Sequence, residues 1–511
     1  MAHDPTTFPA VQPLDAHNRR LLENVHPPAW TNPEPKGRYH LVVVGAGTAG
    51  LVTAAIGAAL GARVALVERE LMGGDCLNVG CVPSKAVLAA ARVWHAARTA
   101  AERFAGPAVA GEGDFAAVME RMRRIRAEIS PADSARRFRD ELGVDVFLGP
   151  GRFVADDAVE VDGRRLRFHR AVIATGARAA VPPVPGLADA GHLTNETIFS
   201  LTERPEHLAV LGAGPIGCEL AQAFARFGCR VTLLEAGPRI LPHDDAEAAE
   251  VVAAALRADG IDLVLDARVE SVAAGGAGKT IRFSRGGGEA TGIIASHLLV
   301  AAGRAPNVEG LGLEAAGVEV AEKGIRVDER MRTSNPRVFA IGDVASRYQF
   351  THAADAQARL VVRNALFFGR GKASGLVIPW CTYTSPELAH VGIAADAAAR
   401  RGDGVQTVTI PLHDVDRART DGETEGFLRV HLKAGSDTIL GATLVAPHAG
   451  DVISQVTQAM VAGTGLGRIG EAIFPYPTLA EALRKAADAW RRGKLTPAAR
   501  RAFSLYFRAR G

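Results

Sequence analysis

Two stretches of this chain repeat one grammar. Tyr39-His40-Leu41-Val42-Val43-Val44 is a short apolar, β-branched run that ends in Gly45-Ala46-Gly47-Thr48-Ala49-Gly50. His207-Leu208-Ala209-Val210-Leu211 ends in Gly212-Ala213-Gly214-Pro215-Ile216-Gly217. A helical run follows each, then a second apolar run closing on an acid, Glu68 in the first copy and Glu235 in the second. The third glycine and the acid are 18 residues apart both times (Gly50 to Glu68, Gly217 to Glu235). One glycine fingerprint is weak evidence, but two in matching context predict two nucleotide-binding βαβ folds. In each, the first two glycines make a tight turn and admit a pyrophosphate close to the backbone. The third lets helix and strand pack, and the helix N-terminus faces the phosphate charge. The acid hydrogen-bonds ribose hydroxyls and repels a 2′-phosphate. Glu235 therefore favours NADH over NADPH, with Arg239 close enough in sequence to oppose it.

Between the copies lies Gly73-Gly74-Asp75-Cys76-Leu77-Asn78-Val79-Gly80-Cys81-Val82-Pro83-Ser84-Lys85. Residues five apart in a regular helix have α-carbons roughly 8–9 Å apart, whereas a disulfide needs about 4.4–6.8 Å. Cys76 and Cys81 are thus either two free cysteines or a bent, strained and reducible bridge with Cys76 at or before the first helical turn. A helix N-terminus beside them would lower a thiol pKa.

The 511 residues suffice for about three domains. Five cysteines, the others being Cys218, Cys229 and Cys381, form no extracellular disulfide framework and suit a reducing, cytoplasmic setting. The net charge of +3 points to no nucleic-acid partner. No run of eighteen apolar residues predicts a transmembrane helix, and the first residues lack the pattern of a secretory signal.

Residues 1–37, rich in Pro, His and Asn without a period, read as an arm or irregular lead-in. Residues 86–150 read as helical and 152–174 as short strands ending at Thr175-Gly176. Val300-Ala301-Ala302-Gly303-Arg304 is a parallel ending, and the proline-rich 182–186 a linker. Alternating runs over 377–474, such as Phe427-Leu428-Arg429-Val430-His431-Leu432, predict an antiparallel sheet flanked by helices. The end, 491–511, is basic with interleaved aromatics. It reads as a solvated helix end, with docking on anionic lipid as the alternative.

From about Tyr39 to about Asp488 the chain resembles the flavoprotein disulfide reductases (class I pyridine nucleotide-disulfide oxidoreductases), and among them the mercuric reductases most closely. The resemblance implies an α/β fold of two Rossmann-like FAD- and NAD(P)-binding domains plus a C-terminal α+β dimerisation domain. The segments it suggests are an arm (1–37), the first part of the FAD domain (38–180), the NAD(P) domain (181–304), the second part of the FAD domain (305–376), the interface domain (377–490) and the tail (491–511). It assigns Gly45, Gly47, Gly50, Glu68, Thr175, Gly176, Gly342 and Asp343 to FAD, and Gly212, Gly214, Gly217, Glu235 and Gly303 to the nicotinamide nucleotide. It makes Cys76–Cys81 the redox disulfide, with Cys81 beside the flavin and Cys76 facing substrate, both able to hold a metal substrate transiently. Lys85 and Glu219 resemble the ion pair at the flavin edge. Ala340-Ile341-Gly342-Asp343 resembles the second FAD motif, and Tyr348-Gln349-Phe350-Thr351-His352-Ala353-Ala354 the mercuric reductase version of the flavin-adjacent helix start. The expected assembly is a homodimer that shares its active sites.

The C-terminal region departs from the dithiol-specific members, which carry His-Pro there with a Glu five residues after the His. This chain has Tyr476-Pro477-Thr478-Leu479-Ala480-Glu481, and mercuric reductases resemble it in having tyrosine. A phenol with pKa near ~10 is no efficient base at neutral pH, and paired thiolates suit a soft cation. The expected activity is therefore NAD(P)H-dependent reduction of a metal ion, Hg(II) to Hg(0). Dihydrolipoyl dehydrogenase or another small-disulfide reductase is the alternative, and a membrane-associated flavoprotein electron carrier is a further one. Mercuric reductases usually end in paired cysteines and often begin with a two-cysteine metal-binding domain. Here no cysteine follows Cys381, and no such N-terminal motif occurs.

Overall fold

The computed structural model describes residues 4–510; the first three residues of the lead-in and the last of the tail lie outside the described residues. Two compact units emerge. The first runs to Arg98 and takes in Ala108–Ala236 and Ala267–Leu376; the second takes Thr99–Pro107, Gly237–Asp266 and the chain from Val377 on.

The first unit is built on a parallel sheet in the order Asp145–Leu148, Val64–Glu68, Arg38–Val44, Arg164–Ile173 and Val338–Ala340. Its central register aligns Val43 with Leu66 on one side and with Val172 on the other. Alternation sorts the side chains to two faces. Leu41, Val43, Leu66 and Val172 enter one core, while Val42, Val44, Ala65 and Ile173 enter the other. Burial on both faces explains why these strands read as unbroken apolar runs. The helix Thr48–Ala59 leaves the first strand directly and packs against Thr351–Leu366. The short strands Arg152–Ala155 and Ala158–Val161 extend the sheet antiparallel.

The second fingerprint repeats this plan. His207–Leu211 lies parallel to Arg230–Leu234 and His297–Val300, and the helix Pro215–Arg226 follows it. An antiparallel meander of Ala267–Gly275, Gly278–Arg285 and Thr291–Ala295 adjoins.

The second unit holds a five-stranded antiparallel sheet in the order Pro379–Thr382, Glu387–Gly392, Ile439–Ala446, Phe427–Lys433 and Val405–Pro411. The helices Ala449–Val461 and Glu481–Gly493 pack on it through Val452, Ile453, Leu483 and Trp490. The molecule is thus the expected α/β protein with two Rossmann-like folds and a C-terminal α+β domain.

The structure corrects two expectations. The irregular lead-in contains the helix Ala16–Val25, capped by Asp15, which accepts from Asn18 N at 2.8 Å. Leu21, Leu22 and Val25 bury completely or nearly so in the first core. This apolar stripe is too short to show a period among the surrounding polar residues. The helical reading of 86–150 also fails at its end, where Asp145–Leu148 forms the outer parallel strand. The helices Cys81–Phe104, Phe115–Ile129 and Ala135–Asp140 fill the rest. The stretch Gly74–Phe104, two helices parted at Val79, is long and apolar enough to cross a membrane by composition alone. Half of its apolar window is buried, which suits a helix that belongs to a core.

Candidate active site

The site grows from the turn between the first fingerprint and the long helix. Gly73 and Gly74 both adopt positive φ, 90° and 55°, and open the one-turn helix Gly74–Asn78. A Cβ at Gly74 would stand 2.7 Å from Gly47 Cα, so the turn lies directly on the fingerprint. The backbone then breaks at Val79, and Cys81 begins the helix Cys81–Phe104. The sequence placed Cys76 at or before the first helical turn. The structure sets Cys76 within a separate short helix and gives the long helix's N-terminus to Cys81. This interruption lets thiols five residues apart approach each other, which an unbroken helix forbids.

Both cysteines carry free thiols here, Cys76 half-buried and Cys81 exposed on one side. The two thiols influence each other, and their acidities diverge. Cys81 is lowered to about 6, first by the Cys76 thiol and then by the Thr351 hydroxyl and the Lys85 ammonium, against the cost of desolvation. Cys76 is pushed up, because its proton is held by Cys81 and because it is partly buried. Thr351 Oγ1 lies 3.3 Å from Cys81 Sγ, at the start of the sixteen-residue helix Thr351–Leu366. The pair therefore rests as one thiolate and one thiol at neutral pH.

Lys85, one helical turn beyond Cys81, reaches Glu219 on the helix Pro215–Arg226 at 2.8 Å. Glu219 is 6% exposed at its side chain, and Lys85 supplies its countercharge. The geometry thus brings Cys76, Cys81, Lys85 and Glu219 together around the redox turn. His352 stacks on Phe350 with ring centroids 5.5 Å apart.

The two fingerprints have the same construction. Glu68 accepts from Ala46 N at 2.6 Å, and Glu235 from Ala213 N at 2.7 Å. Burial pushes the Glu68 carboxyl up in spite of that bond and a second from Glu70 N. A Cβ at Gly50 would lie 1.8 Å from Gly45 O, and one at Gly217 would lie 1.9 Å from Gly212 O, so only glycine lets these helices pack. At the middle glycines the space is open: a Cβ at Gly47 meets only Gly74 Cα at 3.7 Å, and one at Gly214 meets nothing within 4 Å. These are cradles at helix N-termini that fit a pyrophosphate.

Thr175 Oγ1 donates to Asn307 O at 2.7 Å, and Gly176 turns with φ 67°. Gly303 turns with φ 119° before Arg304. Gly342, also at positive φ, opens the short turn carrying Asp343, whose carboxyl is pushed up to about 6 by desolvation. The Asp343 carboxyl makes no side-chain hydrogen bond among the described residues, which fits a carboxylate that binds a sugar-alcohol hydroxyl. The arrangement suits a flavin dinucleotide on the first fold and a nicotinamide dinucleotide on the second.

Three sets of contacts at the site escaped sequence reasoning. Thr351 is 270 positions from Cys81, so no local signal joins them. Arg304 pairs with Asp75, next to Cys76, and donates to Ala177 O, leaving its Nε buried without a partner. Arg126 is fully buried, donating to Asn78 O, Ala10 O and Asn18 Oδ1, and so ties the N-terminal helix to the redox turn.

Tyr476 and Glu481 belong to the second unit. Tyr476 is 71% exposed and donates to Asp416 Oδ2 at 3.0 Å, and that carboxylate holds the phenol pKa above its usual value. Glu481, buried at the start of Glu481–Gly493, accepts from Arg484 at 2.6 Å while its Oε2 has no partner. A cavity of about 430 Å³ nearby is lined by Arg417, Asp421, His448, Val452 and Leu479 and contains no thiol.

Residues 39–358 match the pyridine nucleotide-disulphide oxidoreductase family, and residues 378–487 match its dimerisation domain. The chain belongs to this family. It is an oxidoreductase, a flavoprotein of an FAD- and NAD(P)H-dependent family, and its dimerisation domain supports a homodimer. Among its relatives, mercuric reductase of Bacillus cereus is 35% identical over 477 residues, covering 93% of this chain and 75% of that protein. Mercuric reductase of Streptomyces lividans is 37% identical, covering 88% and 96%. Dihydrolipoyl dehydrogenase of Bacillus subtilis is 31% identical, covering 88% and 97%. Among solved structures, the HOCl-induced flavoprotein disulfide reductase RclA from Escherichia coli superposes with a TM-score of 0.78 at 30% identity, covering 88% of this chain and 99% of that one. Its Cu(II) complex gives 0.79 at 29% identity, covering 89% and 100%.

Proposed function

We propose that this oxidoreductase passes two electrons from NADH through Cys76 and Cys81 to a thiophilic metal ion, with Hg(II) as the substrate its site suits best. The observation that carries this reading is the paired thiolate and thiol, combined with a tyrosine engaged to Asp416 where a dithiol reductase needs an imidazole. The net reaction is NADH plus Hg(II) giving NAD⁺, a proton and Hg(0). FAD, held by the first fingerprint and Asp343, would accept hydride and relay electron pairs. The chain's residues do the rest. Cys81 is ionised without help from a separate base, and Cys76 gives up its proton as the cation binds. In the net exchange on the chain, two thiolates release two electrons to the cation and close to the disulfide. Lys85 supports the Cys81 thiolate, and Glu219 fixes Lys85. No proton has to be delivered to a leaving thiolate, so a phenol in place of imidazole is no handicap. Tyr476 of the partner subunit would complete the site across the dimer.

NADH is favoured because Glu235 closes the second fold, while the Arg239 guanidinium is committed to the carbonyls of Leu241, Pro242 and Asp244. The mercuric reductase relatives and the Cu(II) complex of RclA support a metal-ion acceptor. The dihydrolipoyl dehydrogenase relatives sustain the small-disulfide alternative. An NADH-oxidation screen over Hg(II), Cu(II), lipoamide and glutathione disulfide decides between them. Metal-dependent turnover with volatile mercury as product is expected, with poor use of both disulfides. Brisk lipoamide turnover with mercury acting only as an inhibitor would replace the metal reading by the disulfide one.

A further inference from the structure

The chain beyond the dimerisation domain ends in the helix Pro497–Arg508, started by Thr496, whose hydroxyl accepts from Ala499 N at 3.1 Å. None of its residues is buried. Phe503, Leu505, Tyr506 and Phe507 are 53%, 65%, 49% and 66% exposed, a density of bare apolar area that solvated surfaces avoid. Helical spacing separates two faces. Arg500, Ser504 and Arg508 line up at intervals of four with Arg501 beside them, and the aromatic residues, Leu505 and Ala502 occupy the remaining arc.

The charge is as segregated as the hydrophobicity. Residues 491–511 contain seven Arg and Lys and no Asp or Glu. The whole chain carries +3, so the other residues together carry −4. A merely solvated helix end needs neither the apolar arc nor the exclusion of acids. An amphipathic helix of this length with a basic face and large apolar side chains is instead the form that lies in a lipid headgroup layer. There the rings and Leu505 bury below the headgroups, while Arg510, reaching over Tyr506 with 4.9 Å to the ring centroid, extends its charge back to the phosphates.

We infer that the segment Thr496–Arg510 is a peripheral membrane anchor selective for anionic lipid, which holds this oxidoreductase against a membrane surface. The inference does not depend on which electron acceptor the thiols serve. Anionic lipid is preferred over nucleic acid because the apolar arc would gain nothing against a phosphodiester backbone.

The test uses the full-length, FAD-loaded protein and flotation with phosphatidylcholine vesicles, with and without phosphatidylglycerol. Wild type should float with the anionic vesicles at low salt, dissociate as salt screens the arginines, and ignore pure phosphatidylcholine. The R500E/R501E/R508E protein and, separately, the F503S/L505S/F507S protein should each bind anionic vesicles at least roughly tenfold more weakly. Both should retain wild-type NADH oxidation in solution, and truncation after Lys494 should reproduce the loss if either variant fails to fold. Three results would overturn the inference: no flotation of wild type with anionic vesicles, equal binding to neutral ones, or unchanged binding by both variants. A drop in oligomeric state on serine substitution, with vesicle binding intact, would assign the apolar arc to a contact between copies and also overturn it.

Discussion

Cys81 is the residue whose chemistry depends most on its neighbours. Its thiol is lowered to about 6, so it is a thiolate above that pH and a thiol below it. In the NADH-reduced holoenzyme, the long-wavelength absorbance expected of a thiolate beside flavin should fade as pH falls through about 6. It should be absent in Cys81→Ser and kept in Cys76→Ser. Retention in Cys81→Ser would reverse the roles of the two thiols. Thr351→Val removes the hydroxyl 3.3 Å away and should move the transition to higher pH by about one unit or less, since a hydrogen bond to a charged group is worth about 1.5–3 kcal/mol and this thiol is part-solvated. The proposed preference for NADH rests on a single residue as well, Glu235. A like charge against a 2′-phosphate costs about 1–3 kcal/mol, so NADH should exceed NADPH roughly ten- to a hundredfold in kcat/KM, and Glu235→Ala should shrink the gap.

At the scale of elements, the two fingerprints are built alike yet should fail separately. Gly50→Ala drives a methyl into Gly45 O and should yield colourless protein with little bound flavin. Gly217→Ala makes the same clash in the second fold; it should leave the protein yellow and raise KM for NADH. Colour retained in the first variant would show that the helix shifts to accept the methyl. The N-terminal helix forms another unit with the redox turn. Arg126→Ala removes three hydrogen bonds that join Ala10, Asn18 and Asn78, and leaves a void in the first core. A loss of about 2–4 kcal/mol follows from unpaired buried acceptors and the cavity. It should appear as a lowered Tm and as early proteolytic cleavage within residues 8–26. The loss stays below the sum of the bonds, because Arg126 pays for burial with a pKa lowered to about 10 and an Nε without a partner.

At the scale of the whole molecule, the dimerisation domain supports a homodimer, and the proposed function draws Tyr476 from the second copy. Tyr476 is largely exposed, with Ile473 beside it 98% exposed, which suits a surface that meets a partner. Tyr476→His should raise lipoamide turnover, because the buried Glu481 Oε2 lacks a partner and already acts electrostatically on residue 476. The gain should approach the roughly 10²-fold typical of a positioned acid–base group and should disappear on dilution to monomers. A gain that survives dilution would locate the imidazole's action within one subunit. No gain at the dimer would mean that Arg484 keeps Glu481 from orienting it.

The repeated strand, glycine turn, helix and acid determined both nucleotide folds without any tertiary information. Those signals are local, and close backbone packing at Gly50 and Gly217 admits no other residue. The spacing of Cys76 and Cys81 called for a broken helix only if the two are to be bridged, and the break lies at Val79. Alternation over 377–474 sufficed for the antiparallel sheet. What the tertiary structure alone decided was partnership across long separations. Thr351 meets Cys81, Arg304 meets Asp75, and Arg126 joins the N-terminal helix to the turn, whereas the Lys85–Glu219 pair was already implied by the family resemblance. The helix Ala16–Val25 has only a small stripe of its own, and the strand Asp145–Leu148 only four residues. Each is fixed by the core it enters rather than by its own periodicity. Local pattern sets which backbone a segment prefers, whereas the acidity of a thiol and the burial of a guanidinium depend on groups that only folding brings within reach.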